Sequence, residues 1–189
     1  LKKFQKPLIG IVIAGRPHLL SEVSTAFDAL LFAGYPGQFG GSALARILFG
    51  ETNPSGKLAV SIPDENGQLP VYYNYREAAF QRDYTDCSGT PRYGFGYGLS
   101  YAEFMLKGIH AQYAPQAIQI NGTIENLSAI AGAEVVQVYL RNYSQQVLPR
   151  VKVLCGFQKV FLPAKSTVDF SLTVSYETLK RLNISPNEL

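Results

Sequence analysis

Apolar runs closed by glycine predict strands in the first third of the chain. Pro7 to Gly15 (PLIGIVIAG) and Asp28 to Gly34 (DALLFAG) have the pattern of strands buried on both faces of a parallel sheet. Lys57 to Ile62 (KLAVSI) predicts a third strand. It should end at Pro63, because proline has no N–H to donate to a sheet.

Helices are predicted between these strands. One covers about Ser21 to Phe27, and the other covers Gly41 to Phe49 (GSALARILF), followed by Gly50 where a C-terminal cap glycine is expected. The order strand, helix, strand, helix, strand predicts an α/β layer, although three strands and two helices leave sheet edges and apolar faces uncovered. The apolar positions at helical spacing in the second helix are Leu44, Ile47 and Leu48.

Alternating patterns replace these runs beyond Phe104. Apolar residues take one parity and polar residues the other from Ile118 to Glu125 and from Val168 to Val174. Glu134 to Leu140 (EVVQVYL) places Val136, Val138 and Leu140 on one face. Such strands, with turn signals between them, predict an all-β sandwich of immunoglobulin-like type. The turn signals are Asn121-Gly122, Ala131-Gly132 and Leu162-Pro163.

Composition indicates a packed globular protein. Of 189 residues, 47% are hydrophobic and 16% are charged, which argues against disorder. The apolar stretch Leu8 to Ala14 is far shorter than the roughly 18 residues of a spanning helix, so no membrane segment is expected. Lys2, Lys3 and Lys6 precede too short an apolar run for a signal peptide. The location in the cell stays open.

Charge and ligating residues narrow the function classes further. The net charge of +3 arises beyond residue 104, and no basic run exceeds two residues, so no nucleic-acid partner is expected. Cys87 and Cys155 are predicted to be unpaired thiols. His18 and His110 have no ligand at metal-binding spacing, so neither a metal nor a cofactor is expected.

A tyrosine-rich segment from Pro70 to Tyr101 holds seven of the twelve tyrosines. Four residues are candidates for lining a carbohydrate site, since sugars stack on aromatic rings and bond to charged groups: Arg82, Asp83, Tyr84 and Asp86. Alternatively, the tyrosines simply pack an extended segment between two domains. The order of Asp and Glu residues singles out no pair suited to glycosidic hydrolysis.

Two further motifs do not by themselves indicate a function. The glycine-rich loop from Gly34 to Ser42 lacks phosphate-binding spacing, so a tight strand-to-helix turn is favoured. Glycosylation sequons begin at four asparagines and become sites only in a eukaryotic secreted protein. These asparagines are Asn121, Asn126, Asn142 and Asn183.

Several motifs, in order, resemble glycoside hydrolase family 3. YPGQFGGSALARILFGETNPSGKLAVSIP, within Ala29 to Pro63, is similar to the end of the family's three-layer α/β sandwich domain. Gln68 to Asn74 (QLPVYYN) and Pro91 to Tyr101 (PRYGFGYGLSY) resemble the segments that follow it. Gly132 to Tyr139 (GAEVVQVY) and Leu154 to Phe161 (LCGFQKVF) resemble its fibronectin type III-like domain.

The resemblance implies a division of the chain into three parts. These are the C-terminal part of the α/β sandwich domain (1–69), a tyrosine-rich linker (70–103) and a fibronectin type III-like domain (104–189). The expected fold is therefore an α/β fragment, made of the last strands and helices of a three-layer sandwich, followed by an all-β immunoglobulin-like sandwich.

Departures from the family pattern cluster in the glycine-rich loop. Tyr35 replaces the usual Trp, and Gln38 and Phe39 stand where an acidic pair is common. Ala59 replaces a proline. We therefore count Gln38 and Phe39 with Arg82, Tyr84 and Asp86 as the expected substrate-binding residues.

The family resemblance implies a retaining, exo-acting β-glycosidase, a β-glucosidase or β-xylosidase. Its nucleophilic Asp lies in an N-terminal (β/α)₈ barrel and its acid/base Glu lies earlier in the sandwich domain, and neither motif has a counterpart in this chain. No residue here therefore receives a catalytic role. The expected partners are a β-glucoside or β-xyloside and the remaining parts of the same protein, with a homodimer left open. The alternative is a noncatalytic module that binds carbohydrate or protein.

Overall fold

The computed structural model describes residues 2–76, 83–141 and 148–182. These residues form two compact units. The first contains residues 2–51, Leu58–Tyr73 and 83–97, and the second contains Thr52–Lys57, 74–76 and the described residues from 98 onward. Because the chain passes repeatedly from one unit to the other, the units are interleaved in sequence. The domain boundaries given above remain predictions.

Two parallel strands form the sheet of the first unit. Strand β1 (Ile9–Val12) pairs in register with β2 (Ala29–Phe32). Helix α1 (Ser21–Ala26) connects them, and helix α2 (Gly40–Leu48) follows β2. The entry to β2 is fixed by Asp28, whose Oδ2 accepts a hydrogen bond from the Leu8 N–H at 2.7 Å. The two helices and the first two strands predicted for this region are confirmed, although both strands are shorter than predicted.

Glycine ends helix α2 as predicted. Gly50 has φ +76° and its N–H donates to the Ile47 carbonyl at 3.0 Å. The left-handed conformation is one that glycine adopts without a steric penalty, and it turns the chain out of the helix.

Burial of β1 and β2 on both faces was predicted, and this is wrong for the chain as it stands. In β2, Ala29 is exposed and the other residues are only partly buried. Ile9, Ile11 and Ile13 are 51%, 40% and 60% exposed, whereas Gly10 is buried. The three isoleucines share one parity, so the described residues place no layer against this face. The sheet itself holds only two strands among the described residues.

The predicted strand Lys57 to Ile62 is also wrong. The described backbone there makes a single bridge, between Ile62 and Tyr93, and Leu58 exchanges hydrogen bonds with the segment around Gly96 and Tyr97. The apolar residues therefore pair irregularly with the tyrosine-rich segment and do not extend the β1–β2 sheet. A turn at Gly96, with φ +81°, interrupts any regular ladder.

The second unit is built from two antiparallel sheets. One has the order β3 (Phe104–Ala114), β4 (Ala117–Asn126), β7 (Thr167–Ser175). The other pairs β5 (Gly132–Leu140) with β6 (Val153–Leu162). A short helix, α3 (Tyr176–Arg181), follows β7 and is capped by the Ser175 side chain.

One core joins the two sheets. Ile124 of β4, Leu162 of β6 and Leu179 of α3 are fully buried in it. Because residues from both sheets contribute, the predicted immunoglobulin-like sandwich is confirmed. Its other buried members are Ile118, Ile120, Val136, Val160, Phe170, Leu172 and Val174.

None of the helices in the described ranges has the length and apolar character needed to cross a membrane. The two cysteines, Cys87 and Cys155, are free thiols, as predicted.

Candidate functional site

Exposed aromatic side chains follow the carboxyl ends of the parallel strands. Tyr35 and Phe39 lie in the loop between β2 and α2 and are 82% and 72% exposed, and Gln38 between them is also exposed. The corresponding loop after β1 contains Gly15. The Tyr35 ring lies against this glycine so closely that a Cβ there would sit 2.3 Å from ring atom Cε2. Ligands of open parallel sheets bind at this edge.

The glycine-rich loop is a tight turn into helix α2. Gly40 donates its N–H to the Gly37 carbonyl at 3.1 Å, and Gly34 and Gly37 both have positive φ. The first turn of α2 contains no acidic residue and the preceding Phe39 side chain makes no capping bond. The loop therefore presents aromatic and amide groups, and no carboxylate, at the start of α2.

Tyr84 and Asp86 lie in a second tight turn of the same unit. Asp83 and Ser88 form an isolated bridge, and the Tyr84 N–H donates to the Cys87 carbonyl at 2.8 Å. Tyr84 is 47% exposed, and Asp86 is exposed as well. The turn thus presents an aromatic ring, which can stack on an apolar face, and a carboxylate, which can accept hydrogen bonds, to solvent.

The Cys87 thiol in this turn is held in its neutral form. Partial burial, and after it the neighbouring Asp86 and Glu65 carboxylates, raise the pKa of Cys87 above its usual value. A negative charge beside a thiol disfavours the thiolate, so Cys87 is a poor nucleophile.

The side chain of Gln68 supports the turn that carries Tyr84 and Asp86, and it is only 2% exposed. Its Nε2 donates to the Ser88 and Thr90 carbonyls at 2.5 and 3.0 Å, while its Oε1 accepts from the Asp64 and Glu65 N–H groups at 2.6 and 3.2 Å. One buried amide therefore joins the 64–68 loop to the loop that carries Tyr84 and Asp86.

Arg92 makes a second such connection. Its guanidinium donates to the Ser24 hydroxyl at 2.8 Å and lies 3.6 Å from the Asp64 carboxylate. Both charged side chains are about one third exposed, so the ion pair itself contributes little to stability. The main effect of Arg92 is to connect Asp64 to helix α1.

The tyrosines divide between packing and exposure. The Tyr73 ring stacks on Phe95 with a centroid distance of 4.0 Å, and Tyr93 tilts against Tyr97 at 5.3 Å. Tyr72 is 60% exposed and Tyr101 is 47% exposed. Packing therefore accounts for some of these side chains but not for all of them.

The structure places four of the five expected substrate-binding residues. Gln38 and Phe39 occupy the loop before α2, Tyr84 and Asp86 occupy the 83–88 turn, and Arg82 lies outside the described residues. No hydrogen bond or ring contact within the described residues joins the first pair to the second. Sequence reasoning did not identify Gln68 or Arg92 as supports, although both lie in the motifs that carry the family resemblance.

The second unit offers an open groove of about 540 Å³ along the sandwich. Leu99, Leu106 and Val136 line it, together with Glu134, which pairs with Lys57 at 2.8 Å. Phe104 is the single aromatic residue among its lining and is partly buried. The groove thus lacks the exposed rings of the first unit. No three His, Cys, Asp or Glu side chains anywhere in the described ranges are placed to hold a metal ion.

The described residues thus form an α/β unit, with exposed aromatic side chains after the carboxyl ends of its strands, and an immunoglobulin-like sandwich. Comparison with protein families gives the assignment. Residues 1–101 match the glycosyl hydrolase family 3 C-terminal domain and residues 134–186 match the fibronectin type III-like domain. The chain belongs to glycoside hydrolase family 3.

Relatives and solved structures agree with this assignment. The chain is 34% identical to a periplasmic β-glucosidase of Salmonella typhimurium and 33% identical to a β-xylosidase of Formosa agariphila, in each case over 97% of the chain and 26% of the relative. A β-glucosidase of Listeria innocua, solved in complex with glucose, is 35% identical with a TM-score of 0.86, over 94% of this chain and 27% of that one. The chain thus spans about a quarter of the length of the curated relatives it matches.

Proposed function

We propose that this chain is a noncatalytic part of a retaining, exo-acting β-glycosidase, a β-glucosidase or β-xylosidase. The observation that carries the proposal is the family match to both units in order, over about a quarter of the length of relatives named for these two activities. In such an enzyme one carboxylate attacks the anomeric carbon, a second protonates the leaving oxygen, and water then hydrolyses the glycosyl-enzyme.

The role proposed for this chain is to build a wall of the sugar site. The exposed face of β1 and the two-stranded sheet support it, because an apolar face with no layer against it needs further strands or helices of an α/β domain to cover it. The Tyr35–Phe39 loop and the 83–88 turn then present side chains from one unit to a substrate held mainly by other parts of the protein.

We expect the pure 189-residue chain to release no nitrophenol from 4-nitrophenyl β-glucoside or β-xyloside, since it lacks both catalytic carboxylates. Circular dichroism ensures that the chain assayed is folded. The whole product of the gene that encodes the chain, assayed in parallel, should hydrolyse at least one of the two glycosides. Turnover by the chain alone would overturn its noncatalytic role, and inactivity of the whole gene product on both would overturn the enzyme proposal.

Phe39 is the proposed aromatic residue on which a sugar ring stacks. The further proposed substrate-binding residues are Gln38, Tyr84, Asp86 and Arg82. Phe39→Ala in the whole gene product should raise KM about five- to tenfold with kcat nearly unchanged. Stacking of the ring on the sugar is worth on the order of 1 kcal/mol, and it stabilises the bound substrate and the transition state equally. Phe4→Ala is the matched control, since Phe4 is also an exposed ring, 62% accessible, but lies outside the two loops. Equal KM values for Phe39→Ala and wild type would remove Phe39 from the site.

A second candidate function, a carbohydrate-binding module, is favoured by the exposure of Tyr35 and Phe39. It requires the chain alone to be retained on an immobilised β-glucan or xylan. Under the main proposal, the chain alone passes through such a column, because the loop supplies only one wall of the site.

A further inference from the structure

The chain contains two Asn-Gly pairs, Asn66-Gly67 and Asn121-Gly122. An asparagine followed by glycine is chemically labile, because glycine has no Cβ to hinder the approach of its backbone nitrogen to the preceding side chain and rotates freely into the conformation required. The fold places the two pairs in opposite environments.

Asn66 and Gly67 are both exposed, in the short 3-10 turn Asn66–Gln68. Among the described residues, nothing accepts a hydrogen bond from the Gly67 N–H. A Cβ added at Gly67 would meet no atom within 4 Å, so the space around this peptide is open. The Gly67 backbone nitrogen is therefore accessible to base.

Asn121 and Gly122 lie in the middle of β4, between two neighbouring strands. Asn121 is opposite His110 of β3 and Ser171 of β7. Gly122 is opposite Phe170 of β7 and faces the register break between Lys107 and His110 of β3. Gly122 is buried, and its Cα faces the Phe170 ring. A Cβ added at Gly122 would lie 3.0 Å from Phe170 Cζ. Attack by the Gly122 nitrogen requires opening of the sheet.

We propose that Asn66-Gly67 is a site of spontaneous deamidation in the folded protein, while Asn121-Gly122 is protected. The Gly67 nitrogen loses its proton and attacks Cγ of Asn66, the Cγ–Nδ2 bond breaks, and ammonia leaves, which forms a cyclic imide. Water then adds to either imide carbonyl and opens the ring to aspartate or isoaspartate. Water is the only co-reactant, and no electrons are transferred.

The isoaspartate product changes the loop that anchors Gln68. It routes the main chain through Cβ and Cγ of residue 66, which lengthens the backbone inside the turn. The turn is closed by the Leu69 N–H to Asn66 carbonyl bond at 3.3 Å and the Gln68 N–H to Glu65 carbonyl bond at 3.2 Å. Disturbing these bonds displaces the buried amide that holds the Ser88 and Thr90 carbonyls, so the turn carrying Tyr84 and Asp86 loosens.

The test is peptide mapping of the folded whole-chain protein after incubation at mildly alkaline pH, with chromatography that separates Asn, Asp and isoAsp peptides. Conversion at Asn66 should exceed conversion at Asn121 by more than about tenfold, because the Gly122 nitrogen reacts only during rare opening of β4. In urea, where the sheet is lost, the two pairs should convert at similar rates.

Gly67→Ala is the matched variant, since the space around Gly67 accepts a methyl group and its φ is not positive. It should suppress isoaspartate at position 66 severalfold. Absence of isoaspartate at Asn66 in the folded wild type, or equal conversion at Asn66 and Asn121, would overturn the proposal. The Gly89 N–H donates to Asp83 Oδ1 at 3.3 Å across the turn that carries Tyr84 and Asp86. Aged protein should therefore show faster hydrogen exchange at the Gly89 amide, and unchanged exchange there would overturn the proposed effect on the 83–90 loop.

Discussion

Replacing Asn126 by alanine should lower the free energy of unfolding of the sandwich unit by about 2–4 kcal/mol. Asn126 is 1% exposed and ends strand β4. Its Nδ2 donates to the Ile130 and Pro163 carbonyls at 2.8 and 3.0 Å, and its Oδ1 accepts from the Ser128 N–H at 2.9 Å. Alanine removes all three bonds and leaves their backbone partners to find others.

Urea unfolding followed by circular dichroism measures this effect, since the chain contains no Trp to serve as a fluorescent probe. Asn121→Ala is the control, because Asn121 lies in the same strand, is only partly buried and makes no side-chain hydrogen bond in the described structure. It should change the unfolding free energy by less than about 1 kcal/mol. Similar losses for both variants would show that the Asn126 network does not carry the effect.

Gly98→Ala should destabilise the protein by about 3 kcal/mol. A Cβ at Gly98 would lie 2.2 Å from the Gly56 carbonyl oxygen. This oxygen belongs to the backbone, which cannot move aside without a large cost in free energy. The Gly98 carbonyl also accepts a 2.7 Å hydrogen bond from the Lys57 ammonium group. A displaced backbone would therefore weaken this bond too.

The control for Gly98 lies four residues earlier in the same motif. A Cβ at Gly94 would meet no atom within 4 Å, and its φ is not positive, so Gly94→Ala should be close to neutral. Thermal unfolding of the two variants under identical conditions compares them directly. A Gly94→Ala loss as large as that of Gly98→Ala would mean that glycine is required throughout the motif for a reason other than close approach.

Sequence patterns located strands well wherever one face meets a core. The alternation in β4 and β7 predicted both because one parity packs inside the sandwich, with Ile124 and Val174 almost fully buried. Strand β3 gave no such signal because nearly all of its residues are exposed. The apolar run at Ile9 to Ile13 led to a wrong prediction of burial. The pattern indicates which residues a strand is suited to bury, and it does not show whether a covering layer is present.

The candidate site was predictable only in part. Phe39 was identified because it departs from the family pattern in the glycine-rich loop. Gln68 could not be found this way, because a buried amide that joins two loops looks in sequence like any polar residue near a proline. Its role depends on carbonyl groups twenty or more residues away, which come within reach only after folding.

The interleaving of the two units limits how such a protein can be recombined. Thr52–Lys57 belongs to the sandwich unit although it lies far earlier in sequence. Asn53 there bonds to the Ser100 hydroxyl at 2.8 Å and to the Ala131 carbonyl at 3.2 Å. A single crossover at the start of β3 would therefore transplant a sandwich without one of its own pieces. Gene fusions and domain swaps that keep this short segment with its sandwich should be the ones that yield soluble protein.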